Sequence, residues 1–254
     1  MAANDRITDA IAAIDIDPRR NELLRALPAA ELDRIKPWLE PVRLPRPTQL
    51  EAANEDVEFV YFPTSGVASI VALDEGGDSV DTAMIGREGM TGLSVFLGTR
   101  QSPGRTIVQI PLTGLRMRAD ALRKELQHGG VLERLLQLHT HVVMMTMVQL
   151  ILCNRSHRLD QRAARWLLQV DDRVDERPFQ VTQEFLAQMI GVQRPALSVA
   201  MRQFKAAGLV RYARGQISIG DREGLLARAC RCSEVIASES RRIEALIDAG
   251  RPSR

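Results

Sequence analysis

The sequence predicts an α+β fold with an N-terminal antiparallel β-roll, a long central helix and a C-terminal winged helix-turn-helix. Short β-like runs separated by turn signals fill residues 57–118. A long apolar segment with helical periodicity follows at 132–153, and two amphipathic helical segments meet at Gly191. In this order, these features divide the chain into three predicted parts: a β domain with leading helices (1–118), a dimerisation-helix region (119–153) and a C-terminal domain (154–254).

The composition is that of a globular protein in a reducing compartment. The 254 residues suit two small domains, and 45% of them are apolar and can supply two cores. Three cysteines cannot form a disulfide framework. The first residues contain no cationic leader before an apolar run, and the most apolar stretch, VVMMTMVQLILC, is shorter than the roughly 18–20 residues that span a bilayer. We therefore expect a cytoplasmic protein without a membrane segment.

The β domain is predicted to follow helices that prolines interrupt. Helical patterns over residues 6–40 are broken at Pro18, Pro28 and Pro37, and the prolines of 41–47 favour loop or extended chain. The runs VEFVYFP, VASIVAL and SVDTAMI, with the turn DEGGD before the last, predict a hairpin. TIVQIP and GLRMRA add two candidate strands, so this block predicts a small antiparallel barrel or roll.

The segment LERLLQLHTHVVMMTMVQLILC is predicted as one long helix, apolar enough to need cover on more than one side. Five positions follow a seven-residue spacing and predict a homodimer seam: Leu132, Leu136, His139, Val143 and Leu150. A single helix buried in the chain's own core is the alternative. Asn154 ends the apolar run, which places the hinge before the next helix near 153–156.

The segment that begins at Thr182 has a good helix N-cap and fits a helix-turn-helix at the seven constrained positions that follow it. Thr182 is the predicted N-cap of the first helix, Gly191 supplies positive φ in the turn, and the small Ala187 lets the two helices approach closely. The other constrained positions are apolar and face inward: Leu186, Ile190, Val192, Leu197 and Ala200. Pro195 lies in the first turn of the second helix, where a backbone N–H has no intrahelical partner to lose, so it begins this helix and does not break it. A helical hairpin that serves packing alone is the alternative.

The outward face of the second helix is predicted to enter the major groove of DNA. Arg194 is placed to contact guanine, Gln193 adenine, and Arg202 a phosphate, while Ser198 is placed for a base or a phosphate. GLVRYARGQISIG predicts two short strands turned at Arg214-Gly215, a wing beside the phosphate backbone. The predicted DNA-binding residues are Thr182, Gln193, Arg194, Ser198, Val199, Arg202, Arg211 and Arg214.

The distribution of charge along the chain supports DNA binding by this surface better than the net charge does. The formal net charge is only +2, but five cations and no acid lie between Phe185 and Gly220. Such a local basic face suits phosphate contact, and a merely solvated helix face is the alternative.

In these features the chain resembles the Crp/Fnr superfamily of bacterial transcription regulators. The resemblance covers roughly residues 20–220 and depends on the β block, the long helix ending near Asn154 and VTQEFLAQMIGVQRPALSVAMRQFKAAGLVRYARGQISI. It implies a cyclic-nucleotide-binding-like β-roll, a homodimer and binding of double-stranded DNA, with RNA polymerase as a possible further partner. YFPTSGVASIV and IGREGMTG, with the extension Arg211–Cys232, resemble a subgroup that has this fold but not the usual nucleotide motif.

Two departures from the family pattern concern function. Relatives that bind a cyclic nucleotide have a Gly-Glu pair followed by an Arg and a small hydroxyl residue; here Glu88-Gly89 is inverted and Arg105-Thr106 begins seventeen residues after Glu88. These four residues are therefore only a weak predicted ligand site, and we expect no cofactor. In the recognition helix, Pro195 and Val199 replace the family's usual glutamate and frequent arginine, so the family's operator sequence does not transfer.

Metal chemistry and catalysis are not expected. The N-terminal region has no cysteine, which excludes the iron–sulfur sensing of some relatives. His139 and His141 lie two residues apart and face differently, and Cys230 and Cys232, predicted on one helix, point apart, which favours inert thiols. The sequence shows no paired carboxylates, no nucleophile–histidine arrangement and no dinucleotide-binding glycine loop, because the glycines of IGREGMTG have the wrong order and setting.

Two functional hypotheses remain from the sequence. The first is a homodimeric transcription regulator that binds a pseudo-palindromic site, without a small-molecule effector. The alternative is a ligand-sensing module, for a cyclic nucleotide or another ligand, whose winged helix binds a protein partner. Salt dependence separates them, because DNA binding weakens steeply as salt rises.

Overall fold

The computed structural model describes residues 15–73 and 79–249, and the chain forms two compact units. The first unit contains the chain up to Ile70 together with Met84–His141. The second contains Val71–Ala83 and the chain from Val142 onward.

Short helices precede the β-sheet of the first unit, and of the three predicted prolines only Pro28 lies between helices, since Pro18 and Pro37 lie inside 3-10 turns. The helices are a 3-10 turn (Pro18–Arg20), α1 (Glu22–Ala26), α2 (Ala29–Ile35) and a second 3-10 turn (Lys36–Trp38). The run IAAI of the predicted first helix lies outside the described residues. Asn21 fixes these helices to the rest of the unit, because its buried amide donates hydrogen bonds of 2.9 Å to the carbonyls of Pro63 and Gly89.

The sheet has five strands in the order β1-β5-β3-β4, with β2 also paired to β5. The strands are β1 (Glu40–Leu44), β2 (Gln49–Glu51), β3 (Phe59–Leu73), β4 (Ser79–Ile85) and β5 (Arg105–Arg118). Strands β1 and β5 are antiparallel, with Glu40 opposite Arg116 and Leu44 opposite Leu112. The segment SVDTAMI is the predicted strand β4, whereas the predicted turn DEGGD lies outside the described residues.

The prediction of several short strands is wrong for two pairs of runs, because VEFVYFP with VASIVAL, and TIVQIP with GLRMRA, each form one long strand. Glycine residues explain how each long strand continues through the segment that was predicted to interrupt it. A Cβ on Gly66, which has φ +89°, would lie 2.2 Å from the carbonyl oxygen of Pro111, and a Cβ on Gly114 would lie 2.5 Å from that of Phe62. The two backbones therefore approach at distances that only glycine permits.

Helix α3 (Leu93–Phe96) is a single turn within the β block. Helices α4 (Ala119–Leu126) and α5 (Val131–Ser156) follow β5, and of these two only α5 continues from the first unit into the second. The first amides of α5 are capped by Glu31, which lies far from them in the sequence. Its carboxylate accepts hydrogen bonds of 3.0 Å from the N–H groups of Val131 and Leu132. Helix α5 has 26 residues, and an 18-residue window within it has a mean hydropathy of 1.5. By length and composition alone, the helix is long and apolar enough to cross a membrane. The leucine-rich turns before Val142 extend the apolar run beyond the predicted length.

The second unit contains a helical core and a three-stranded sheet of order β6-β8-β7. Its elements after α5 are α6 (Leu159–Asp171), β6 (Phe179–Gln180), α7 (Gln183–Ile190), α8 (Arg194–Ala206), β7 (Val210–Ala213), β8 (Gln216–Ile219), α9 (Arg222–Arg228) and α10 (Cys232–Ala249). The break between helices α5 and α6 lies at His157 and Arg158, just after the hinge predicted near 153–156.

The C-terminal segment DREGLLARACRCSEVIASESRRIEAL is two helices, which corrects the prediction of one. Asp221 caps the first, since its Oδ1 accepts a hydrogen bond of 2.9 Å from Gly224 N. Helix α9 ends at Arg228, and α10 begins at Cys232. Cys230 and Cys232 therefore do not share a helix, and the spacing argument for divergent side chains is wrong.

Candidate nucleic-acid interface

The first helix of the motif, α7, begins and ends at the predicted residues. Thr182 is its N-cap, and the side-chain oxygen accepts a hydrogen bond of 3.2 Å from Phe185 N. Gly191 ends it in the left-handed region, with φ 69° and ψ 52°. Val192 N then donates a hydrogen bond of 2.9 Å to the carbonyl of Ala187, which closes the turn over this small residue.

The second helix, α8, begins at Arg194, and Pro195 is its second residue. A proline there removes no intrahelical hydrogen bond, so the prediction that it starts the helix is confirmed. Gln193 is the N-cap but makes no side-chain capping bond, which leaves its amide directed to other partners. The predicted inward positions are buried at Leu186, Ala187, Ile190, Leu197 and Ala200, while Val192 is half-buried.

The predicted outward face of α8 is exposed at its N-terminal end. Gln193, Arg194, Val199 and Arg202 are all exposed. Ser198 differs: it is half-buried, and its hydroxyl lies 2.7 Å from Oε1 of Gln183 and 3.0 Å from the carbonyl of Arg194. The hydroxyl hydrogen is therefore used inside the motif, and Ser198 can offer an incoming group only a lone pair.

The wing is a two-residue hairpin beside this helix. Strands β7 and β8 pair from Val210 opposite Ile219 to Ala213 opposite Gln216. The turn residues Arg214 and Gly215 have φ 50° and 76°, the positive values of the tight hairpin turn that matches strand twist. Both Arg211 and Arg214 are exposed.

The cations of this surface are not neutralised by the protein. Across residues 15–73 and 79–249, no ion pair joins an acidic side chain to any of them: Arg194, Arg202, Lys205, Arg211 and Arg214. Lys205 instead donates a hydrogen bond of 3.4 Å to the carbonyl of Tyr212, so it links α8 to the wing. An unpaired basic surface on an exposed helix start and a wing is suited to the phosphates and base edges of a duplex.

Two contributors to this geometry are not evident from sequence. Gln183 fixes Ser198, and Arg162 on α6 donates a hydrogen bond of 3.0 Å to the carbonyl of Ile190 at the C-terminal end of α7, where a cation is favourable. Gln183 directly follows the predicted N-cap Thr182, so its position in the sequence hinted at a structural role. The role of Arg162 depends on a contact with a residue 28 positions away and could not be seen in the sequence.

Comparison with known proteins identifies the domain. Residues 161–228 match the Crp-like helix-turn-helix domain. The C-terminal part of the chain therefore contains a helix-turn-helix domain of the Crp-like family. A search of the curated proteins finds no match.

Solved structures of several bacterial regulators share the fold of this chain at low sequence identity. FixK2 from Bradyrhizobium japonicum is 16% identical, with a TM-score of 0.64 over 76% of this chain and 98% of that chain. A Crp/Fnr-family transcriptional regulator from Eubacterium rectale is 20% identical, with a TM-score of 0.63 over 85% and 99%. CLP from Xanthomonas campestris, described as c-di-GMP responsive, is 14% identical, with a TM-score of 0.59 over 76% and 99%.

Three of the four weak ligand residues are engaged by the protein itself: Glu88, Gly89 and Thr106. Glu88 Oε1 accepts a hydrogen bond of 3.1 Å from Gly86 N. Gly89 lies against His139, since a Cβ at this glycine would lie 2.2 Å from the imidazole Cε1. Arg105 is half-buried, and the hydroxyl of Thr106 hydrogen-bonds to the carboxylate of Glu51.

Glu51, a buried acid beside the weak predicted ligand residue Thr106, was not identified from the sequence. Its buried carboxylate accepts hydrogen bonds from Gly92 N at 2.9 Å, from the Ser102 hydroxyl at 3.0 Å and from Thr106. Burial raises the pKa of this carboxyl, and the three hydrogen bonds oppose that shift. A cavity of about 240 Å³ opens beside it, and its lining includes three more acids, Glu55, Asp56 and Glu58.

The predicted dimer seam on α5 is wrong in its choice of face, because the chain itself buries all five of its residues: Leu132, Leu136, His139, Val143 and Leu150. The large apolar side chains that α5 leaves exposed lie on another face: Met144, Met145, Val148, Ile151 and Leu152. Met144, Val148 and Ile151 are spaced by four and three residues, as in a heptad seam. The seven-residue spacing could be recognised in the sequence. The sequence did not show which face of α5 the chain itself covers.

The three cysteines of the second unit are free and buried, and they lie close together. The sulfur atoms of Cys153 and Cys230 are 3.5 Å apart, and Cys232 Sγ is 3.4 Å from Nδ1 of His157. The hydrogen bond with Cys230 lowers the pKa of the Cys153 thiol, and the same bond raises that of Cys230. Burial raises the pKa of Cys232. These groups lie outside the predicted DNA-binding surface.

Proposed function

We propose that this chain is a transcription regulator that binds a pseudo-palindromic DNA site as a homodimer, with α8 in the major groove and the wing beside the backbone. The observation that supports this most directly is the exposed start of α8, where the side chains of Gln193 and Arg194 have no internal partner within the described chain. Arginine is the side chain best suited to a bidentate contact with guanine, and glutamine to one with adenine. Arg202, Arg211 and Arg214 are then the phosphate contacts, with Thr182 at the adjoining helix start and Val199 available to a thymine methyl.

The proposed dimer forms through the exposed apolar face of α5. Ile151 and Val148 leave 72% and 59% of their surfaces exposed, and a water-exposed stripe of this kind usually marks a protein interface. This stripe spans only 144–152, about 13 Å of helix, whereas the hydrocarbon core of a bilayer is about 30 Å thick. A second copy of the helix therefore fits the stripe, and we propose no membrane insertion and a cytoplasmic location.

Symmetry then defines the target. Two recognition helices related by a two-fold axis contact half-sites about one helical turn apart, so the operator has the same symmetry as the protein. Because Pro195 cannot accept a hydrogen bond from cytosine, the preferred bases are those that Gln193, Arg194 and Val199 select.

We further propose that DNA binding needs no cyclic nucleotide, because a carboxylate of the chain already occupies the anion position. The backbone N–H of Gly92 and the hydroxyls of Ser102 and Thr106 are groups that would bind a phosphate, and here they hold Glu51. A phosphate brought to this place would meet the negative charge of Glu51 and the acidic lining of its cavity.

The competing function is a ligand-sensing module whose winged helix binds a protein. The exposed arginines suit an acidic protein surface as well as DNA, so the two functions differ in salt response and in sequence preference. RNA polymerase is a proposed partner only of the DNA-bound dimer.

The test is selection of bound sequences from a random duplex pool by the full-length protein, followed by binding isotherms at several salt concentrations. We expect an enriched sequence with two-fold symmetry, bound without added nucleotide, and an affinity that falls linearly on a log–log plot against salt. Cyclic mononucleotides and c-di-GMP are added in parallel arms. The absence of any enriched sequence would refute DNA recognition, and enrichment only with a nucleotide would refute effector independence alone.

A further inference from the structure

Four metal-binding side chains from two distant parts of the sequence converge inside the second unit. Cys153 Sγ, Cys230 Sγ, Cys232 Sγ and a ring nitrogen of His157 all lie within 4.8 Å of one another. Their convergence is a property of the fold, because 77 residues separate Cys153 from Cys230.

Local structure directs both halves of this cluster. His157 N donates a hydrogen bond of 3.0 Å to the carbonyl of Cys153, so the helical turn continues and the two side chains, four residues apart, share a face. Cys230 lies in the link between α9 and α10, and Cys232 is the first residue of α10. This change of backbone direction lets both sulfur atoms point to the same place.

We propose that Cys153, His157, Cys230 and Cys232 bind a single Zn²⁺ ion. Three thiolates and one imidazole are a common donor set for structural zinc, which takes four ligands in a tetrahedron. Bond lengths of about 2.3 Å to sulfur and about 2.0–2.1 Å to nitrogen place tetrahedral ligand atoms about 3.5–3.8 Å apart. The measured 3.5 Å between two sulfur atoms and 3.4 Å from Cys232 Sγ to His157 Nδ1 already match that spacing.

The geometry distinguishes this site from other uses of cysteine. A disulfide would involve only two of the sulfur atoms and give no role to the third or to His157. An iron–sulfur cluster distributes its protein ligands over several iron atoms, which needs a wider separation of sulfur atoms than a single ion does. Four converging donors therefore indicate one tetrahedral ion.

The surroundings suit a metal centre with a net negative charge. Three thiolates on Zn²⁺ leave one negative charge, and the positive charges of Arg162 and Arg165 act electrostatically on Cys153. Gln149 Nε2 donates a hydrogen bond of 3.2 Å to Cys232 Sγ, as outer groups commonly do to zinc thiolates. The sulfur ligands are buried, since the three cysteines are 0%, 4% and 1% exposed, which protects them from solvent.

The ion would join the end of α5 to the link between α9 and α10. The loop that it closes contains α7, α8 and the wing, so binding restricts the unfolded chain and stabilises the DNA-binding domain. This consequence depends on the fold of the second unit and not on the proposed operator or effector.

The first measurement is the zinc content of the full-length protein, purified in a reducing buffer without a histidine tag. We expect about one zinc ion per chain by mass spectrometry, and a lower unfolding temperature after removal by a chelator that added Zn²⁺ restores. Protein reloaded with Co²⁺ should show the visible bands of a tetrahedral site and the near-ultraviolet charge transfer of cobalt–thiolate bonds.

Variants connect the ion to the four residues. Cys153→Ser, Cys230→Ser, Cys232→Ser and His157→Gln should each lower zinc content and shift the cobalt spectrum, whereas His128→Gln, an exposed histidine outside the cluster, should change neither. Should a variant fail to fold, the chelation and cobalt measurements on the unaltered protein still decide. Metal-free protein that neither gains stability from Zn²⁺ nor gives thiolate–cobalt bands would overturn the proposal, as would a Cys153–Cys230 disulfide in its place.

Discussion

The hydroxyl of Ser198 donates a hydrogen bond of 2.7 Å to Oε1 of Gln183, which joins the recognition helix α8 to the first residue of α7. The two helices of the motif are thus fixed by a polar contact as well as by their buried apolar residues. This contact divides the outward residues into two groups: those available to DNA, such as Arg194, and Ser198, which positions the helix.

Replacement of Ser198 by alanine should therefore reduce stability more than it reduces base discrimination. Loss of one partly buried hydrogen bond between neutral groups lowers the free energy of unfolding by about 1 kcal/mol. Denaturant unfolding measures this loss, and a competition assay with mismatched sites measures discrimination. A loss of discrimination equal to that of Arg194→Ala would show instead that Ser198 contacts a base.

Arg194→Ala and Arg211→Ala should weaken DNA binding in different ways. Removal of a bidentate guanine contact lowers affinity for the selected site by about 1–3 kcal/mol and leaves affinity for unrelated DNA nearly unchanged. Removal of a phosphate contact weakens binding to all sequences and reduces the slope of log affinity against log salt by about 1. Isotherms on selected and scrambled duplexes separate the two, and equal behaviour of both variants would contradict the assigned roles.

Val148→Glu should convert the dimer to a monomer, because it places a charge in the centre of the exposed apolar face of α5. Leu226→Glu is the matched control, since Leu226 is also a large exposed apolar residue but lies on α9. Sedimentation analysis gives the molecular mass, and binding to full and half operators gives the functional effect. A dimer that persists in Val148→Glu would exclude this face as the seam.

Glu51→Ala should create an anion site. The variant leaves Gly92 N and the hydroxyls of Ser102 and Thr106 without their acceptor, and each unpaired buried group costs about 1–3 kcal/mol. Inorganic phosphate should then raise the unfolding temperature of the variant more than that of the unaltered protein. Glu223→Ala, which removes an exposed carboxylate on α9 outside this cavity, controls for the general stabilising effect of phosphate salts. Equal phosphate responses in all three proteins would refute the occupied anion position.

Acidification below about pH 6.5 should destabilise the first unit through His139. Burial lowers the pKa of this imidazole below its ordinary value of 6.5, with smaller opposing effects from the Met90 backbone and the charge of Glu88. The ring Nε2 lies 3.1 Å from both the N–H and the carbonyl oxygen of Met90, and the tautomer decides which of the two it hydrogen-bonds. Below pH 6.5 the imidazole therefore becomes protonated in the unfolded chain but stays neutral in the folded chain. The free energy of unfolding falls by up to about 1.4 kcal/mol per pH unit as a result.

Denaturant unfolding at several pH values measures this slope. His139→Gln should flatten it, whereas His128→Gln should leave it intact because His128 is exposed. A slope that is the same in the protein and in His139→Gln would assign the pH response to other groups.

The sequence by itself determined the helix-turn-helix. Thr182, Gly191 and Pro195 act through hydrogen bonds and dihedral angles within a few residues, so their cap, turn and helix-start roles hold in any tertiary setting. The wing turn at Arg214-Gly215 and the strand SVDTAMI were predictable for the same reason.

Tertiary structure alone decided which residues face one another across long stretches of chain. The covered and open faces of α5 depend on what packs against it, so a correct heptad period still led to the wrong seam. The same holds for Glu51 with Gly92, and for Cys153 with Cys230, which meet across 41 and 77 residues. Burial and side-chain convergence depend on partners that local pattern does not identify, and they carry the proposed dimer face, the proposed anion position and the proposed zinc site.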